Sequence, residues 1–106
     1  MAYRYKFTPL ALSDMDEALD YIAGSLSNPS AADTMYRNIA SEIERICDRP
    51  FSFSDCSNYL IDDEMIRHTV IGNYVLIFEV CEAEKLIKIL RFLYGGRNIA
   101  GMSIGT

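Results

Sequence analysis

The sequence has no apolar run near the ~20 residues needed to cross a bilayer, which excludes a membrane-spanning helix. Its first residues, Met1 to Phe7, lack the unbroken apolar core of a secretory signal, so a cytoplasmic location is expected. There is one histidine, His68, and there are three cysteines, Cys47, Cys56 and Cys81, far apart and without a CxxC pair. An odd cysteine count argues against a disulfide framework, and tetrahedral zinc needs four good ligands held close. Reduced, packed thiols are expected instead, with no metal site and no cofactor. Internal repeats and low-complexity stretches are missing as well. So is any basic excess: the net charge is −5, against the cationic stripe by which nucleic-acid binders release counterions.

What remains is a chain of 106 residues, half of them hydrophobic, the size of a single domain spanning 1–106. Its charge is uneven, with five basic and twelve acidic side chains in residues 1 to 66 and five basic and three acidic in residues 67 to 106.

Tyr3, Tyr5 and Phe7 alternate with Arg4 and Lys6, the period of a strand with one apolar face. Thr8-Pro9 then supplies an N-cap and a first helical residue. Leu12, Met15, Leu19, Ile22 and Leu26 follow at helical spacing and form one stripe. Gly24 and Asn28-Pro29 read as a stop and turn, and Ser30-Ala31-Ala32-Asp33 resembles a capping box opening a second helix. Tyr36, Ile39, Ile43 and Ile46 carry that helix to Arg49-Pro50. Residues 51 to 63 show no sustained period and read as a surface loop pinned by Phe51 or Phe53. Met65 to Ile71, Tyr74 to Glu82 and Lys85 to Tyr94 are rich in β-branched and aromatic residues, a three-strand antiparallel meander. The expected fold is α+β: an N-terminal strand, then a helical hairpin (residues 9 to 49) on one face of a small twisted, mainly antiparallel sheet, in the order β-α-α-β-β-β.

With Ala83-Glu84 as a hairpin tip, Glu82 lies opposite Lys85 and Glu79 opposite Lys88, two complementary pairs that fix a register. Tyr74, Leu76, Phe78, Val80, Ile87, Ile89 and Leu93 then meet the helices. Val75, Ile77, Leu90 and Phe92 fall on the other face, where a sheet open to water normally carries polar residues. They predict an apolar patch of the kind that marks partner sites, unless the loop of residues 51 to 63 or the tail of residues 99 to 106 covers it.

The element order, the ending Arg91-Phe-Leu-Tyr-Gly-Gly-Arg-Asn98 and the strand opening Gly72-Asn73-Tyr74-Val-Leu-Ile-Phe78 resemble the RelE/ParE superfamily of type II toxin–antitoxin toxins, which includes plasmid stabilisation proteins. The likeness spans roughly residues 3 to 98, with Tyr94 where the family often has His and Asn98 where it often has Asp. It implies a toxin wrapped by a cognate antitoxin, here across Val75, Ile77, Leu90 and Phe92, with any operator DNA contacted through the antitoxin. RelE-like members cut messenger RNA on the ribosome and need a base and cations around a phosphorane. ParE-like members inhibit DNA gyrase and need a surface. Val75 stands where the nucleases typically have Arg, and residues 99 to 106 lack their terminal Tyr or His, so the resemblance leans to ParE. On that reading Arg97, Tyr94 and Asn98 meet the target. The alternatives are a RelE-like nuclease using Arg67, His68 and Arg97, and a non-toxic binding module that keeps the fold.

Each candidate also has a structural role open to it. Arg97 suits an ion pair with an acidic helix residue such as Asp14 or Asp16, Arg91 on the helix-facing side suits a partly buried salt bridge, His68 suits a strand edge or surface, and Asp62-Asp63-Glu64 suits a solvated turn.

Overall fold

Thr8 joins the first strand to the first helix, and its side chain determines where one ends and the other begins. In a computed structural model, which describes residues 3–25, 28–96 and 99–101, β1 is Arg4–Phe7 and α1 is Pro9–Asp20. Leu26, Arg97 and Asn98 lie outside the described residues. The Thr8 hydroxyl accepts the Ala11 N–H at 3.1 Å, and Pro9 sits where a missing N–H costs nothing. From Asp20 the chain passes into a π-helical turn, Tyr21–Ser25. The second helix, α2, runs Pro29–Asp48, capped by the Asn28 side chain on the Ala31 N–H at 3.1 Å. Asn28-Pro29 is therefore the cap and first residue of α2, not a turn ahead of a capping box.

The sheet contains β2 (Ser54–Asp55), β3 (Ile66–Ile71), β4 (Tyr74–Cys81) and β5 (Leu86–Tyr94) in the order β1-β5-β4-β3-β2. β1 is parallel to β5 and the other neighbours are antiparallel, the α+β arrangement expected with one strand added. That strand, β2, lies in the segment read as loop and pairs Ser54 with His68 and Asp55 with Arg67. Phe53 pins the segment, edge-on to Phe78 at 5.8 Å, while Phe51 stays exposed. At the β3–β4 tip Gly72 takes φ +60°, a backbone state that glycine enters without a Cβ penalty.

Glu79 pairs with Lys88 as the charge pattern requires, and Phe78 pairs with Ile89. The next pair is Ile77 with Arg91, so Leu90 is an extra residue and β5 is bulged. Past the bulge the alternation inverts: Phe92 joins the helix-side core and Leu93 the opposite one, the reverse of the expected faces. The cause lies on the open edge of β5 beyond the end of β1. There the Thr8 N–H donates to the Ile89 carbonyl at 3.0 Å, and the Thr8 hydroxyl donates to the Leu90 carbonyl at 3.1 Å. Asp14 accepts the Phe92 N–H at 3.0 Å and holds the Arg91 guanidinium with both oxygens, at 2.6 and 3.0 Å. Arg91 thus forms the partly buried salt bridge expected of it, and its partner is Asp14, which the sequence had suggested for Arg97. Its pKa is raised, chiefly by the hydrogen bonds to Asp14.

Two cores result. Ala11 and Ala18 of α1 and Ile39, Ile43, Ile46 and Cys47 of α2 cover Leu76, Phe78, Val80, Ile87, Ile89 and Phe92. On the other face Val75, Ile77, Leu90 and Leu93 are buried with Cys56 and Ile99, and Tyr59, Ile61 and Ile66 pack around them. The expected open patch is thus absent. The chain's own loop and Ile99 close it, because each such side chain taken from water contributes about 1.5–3 kcal/mol. The α1 stripe is also turned from its expected place. Small Ala11 and Ala18 approach the sheet, while Leu12 is half exposed.

Asp14 is 9% exposed in its ion pair, and truncation to Ala strands a buried guanidinium and a backbone N–H together. Asp14→Ala is expected to cost about 3 kcal/mol in urea unfolding, with Asp14→Asn costing less because an acceptor for Phe92 remains.

Candidate functional site

Arg67 and His68 are successive residues of β3, so their side chains leave opposite faces of the sheet. Arg67 sits opposite Phe78 of the helix-side core and His68 opposite Ile77 of the other. Both are engaged by the covering loop. The Arg67 guanidinium donates to the Phe53 carbonyl at 2.6 Å and the Glu64 carbonyl at 3.0 Å, and lies 5.0 Å from the Phe51 ring centre. His68 Nδ1 is 3.0 Å from the Asp55 carbonyl and 3.8 Å from Cys56 Sγ, and its ring meets Tyr59 edge-on at 5.3 Å. They clasp the loop to the sheet and do not converge on one ligand. Asp63 accepts the Met65 N–H at 2.9 Å in the acidic turn, and no metal-holding cluster occurs among the described residues.

Of the residues expected to contact an antitoxin, Val75, Ile77 and Leu90 are buried under the loop and Phe92 is buried on the helix side. None of the four offers a surface to a partner while the loop is in place. Tyr94, expected at the target, is exposed at the end of β5. Its ring lies over Gly96, where an added Cβ would come within 2.6 Å of the ring, so glycine there leaves the ring room to lie against the backbone. Arg97 and Asn98 continue beyond the described residues.

Two surface features bear on partner binding. Around Tyr94 is a crevice of about 230 Å3 lined by Asp14, Glu17, Ala18, Tyr21, Tyr74 and Phe92. Tyr74 stacks on Phe92 (4.9 Å, 6°) and meets Tyr94 nearly perpendicularly (5.9 Å, 75°). Burial raises the Tyr74 pKa, and Tyr21, Tyr94 and Glu17 add to the rise. The second is an apolar groove of about 290 Å3 where β1 meets both helices, lined by Tyr5, Phe7, Leu12, Met15, Leu19 and Tyr36 among others. Tyr5 is 48% exposed, Leu12 52% and Tyr36 61%, so three open apolar side chains line one groove.

A family profile described as the ParE toxin of type II toxin–antitoxin system, parDE, matches residues 5–99. The chain belongs to the ParE toxin family. A solved structure titled "Chromosomal ParDE TA system from P. aeruginosa" shares the fold with a TM-score of 0.67, over 88% of this chain and 96% of that one, at 19% identity. Curated protein sequences give no match. No helix among the described residues of this ParE-family chain is long and apolar enough to cross a membrane.

Tyr94, expected at the target, lies at an accessible end of β5, whereas Glu17, Tyr21, Tyr5 and the outward turn of Leu12 and Tyr36 were not singled out from the sequence. A helical stripe has a direction only relative to its neighbours, and nothing local marks which half of it stays open.

The loop clasp can be tested through the thiols. Cys47 and Cys56 are fully buried, and burial pushes the Cys56 thiol up to about 11, while Cys81 is partly exposed. Cys81 is expected to react first with a thiol reagent in the native protein. Arg67→Ala is expected to speed Cys56 labelling about tenfold as the loop opens more often, corresponding to ~1.4 kcal/mol from lost hydrogen bonds. Since the folded Cys56 ionises later than the unfolded thiol, its contribution to stability is present below pH 9.0 and is lost as pH rises through about 11.

Proposed function

We propose that this chain acts as a ParE-like inhibitor of DNA gyrase, held inactive by a cognate antitoxin. The observation that carries this reading is the placement of Arg67 and His68 on opposite sheet faces, each committed to loop backbone. A ribonuclease of the RelE kind needs a base and cations gathered around one phosphate. The position where those enzymes carry Arg holds Val75, 3% exposed beneath the loop. A protein inhibitor needs complementary surface instead, and the Tyr94 end leading to Arg97 and Asn98 supplies it. Toxin–antitoxin assembly in the similar structure, whose title names a ParDE system, supports an antitoxin partner. The antitoxin's apolar segment seats in the groove of Tyr5, Leu12 and Tyr36, because there three exposed apolar side chains line one depression between β1 and the helices.

Induced expression in a bacterium is expected to give filamentation with DNA-damage signalling, and the purified protein to inhibit supercoiling by gyrase. Arg97→Ala is expected to relieve both effects and His68→Ala neither. Rapid translation arrest with cleaved transcripts would identify a nuclease instead, and the absence of any growth effect a non-toxic binding module.

A further inference from the structure

The crevice beside Tyr94 combines features that neither the fold nor core packing requires. Its walls are phenol rings from three separate elements: Tyr21 from the π-helical turn, Tyr74 from the start of β4 and Tyr94 from the end of β5. π-helical turns are uncommon and occur often at functional sites, where the wider turn redirects a side chain. Tyr74 and Tyr94 stand at 75° to each other and form a corner with stacked Phe92 behind it. Of the two carboxylates in the lining, Asp14 is already balanced by Arg91 through a two-point ion pair. Glu17 is exposed, and neither a hydrogen bond nor an ion pair engages it among the described residues. The crevice thus presents ring quadrupoles and one exposed carboxylate, Glu17, which feels the Arg91 charge but forms no ion pair with it.

We propose that this crevice is a binding site for the guanidinium group of an arginine side chain carried by a protein partner. Aromatic faces attract a cation within about 6 Å of their centres, and a planar guanidinium stacks on rings while its N–H groups reach a carboxylate. Lysine fits less well, because a compact, strongly hydrated ammonium neither stacks nor presents a fork. Neutral apolar side chains would leave Glu17 and the phenol hydroxyls without partners. The partner is the toxin's target only insofar as the gyrase reading above holds; the chemistry of the site stands without it.

The site is tested on the whole protein by 1H–15N and aromatic NMR titration with N-acetyl-arginine methylamide, alongside its lysine and citrulline counterparts. Saturable shifts at Glu17, Tyr74 and Tyr94 are expected with the arginine probe, with a dissociation constant on the order of 10 mM. Citrulline should give none and lysine binding at least about threefold weaker. Glu17→Gln, an exposed and conservative change, should weaken arginine binding about fivefold, whereas Glu44→Gln on the exposed face of α2 should leave it unchanged. Equal shifts with citrulline, equal affinity for lysine, equal weakening by Glu44→Gln, or no saturation with arginine would each overturn the proposal. Supercoiling assays separate this idea from the gyrase reading. If Glu17→Gln loses the probe yet inhibits gyrase undiminished, the crevice is not where the target's arginine sits. If the wild type takes the probe but never inhibits gyrase, only the target is wrong.

Discussion

A single carboxylate, that of Asp14, ties the helical layer to the end of the sheet. It accepts the backbone N–H of Phe92, 78 positions away in the chain, and two N–H groups of the Arg91 guanidinium, 77 positions away. Without it the edge of β5 beyond β1 would keep unpaired backbone groups beneath a helix, a costly arrangement in a partly dry environment. Its partner in this task is Thr8, whose hydroxyl donates to Leu90 and accepts from Ala11, capping the helix and covering the bulge together. Because the bulge inverts the alternation, these polar contacts decide which core receives Phe92 and which receives Leu93.

That choice shapes the surface. Leu93 completes a second core under the loop, so the sheet keeps no apolar face for a partner. Phe92 supports Tyr74 from the helix side, and Tyr74 in turn forms a corner with Tyr94. The groove of Tyr5, Leu12 and Tyr36 lies on the far side of α1 from the Tyr94 crevice's acidic residues. Under the function proposed above, two surfaces of different chemistry, one apolar and one aromatic and anionic, would serve an antitoxin and a target separately.

Much of this was legible in the residues. Thr8-Pro9 announced the first helix, Arg49-Pro50 the end of the second, and the Glu79–Lys88 pair the correct register for half of the last hairpin. The other half was not, because charge complementarity stops at Lys88 and the bulge depends on Thr8 and Asp14, which only the tertiary fold brings near. β2 was missed for a similar reason: two residues pairing at an edge carry no period of their own. Arg67 and His68 looked like chemistry because they are adjacent and basic, yet adjacency on a strand separates them. Tyr94 was found by resemblance, whereas Glu17 and Tyr21, which give its crevice a charge and a wall, belong to a helix read only for its apolar stripe.

The bulged register is most directly tested by nuclear Overhauser contacts in a sample with labelled leucine, isoleucine, valine and alanine methyl groups and labelled aromatic rings. The Leu93 methyls are predicted to contact Val75 and Ile99, and the Phe92 ring to contact Tyr74 and Ala18. Contacts from Phe92 to Ile99 together with contacts from Leu93 to α1 would mean that β5 runs without a bulge, and would contradict the account.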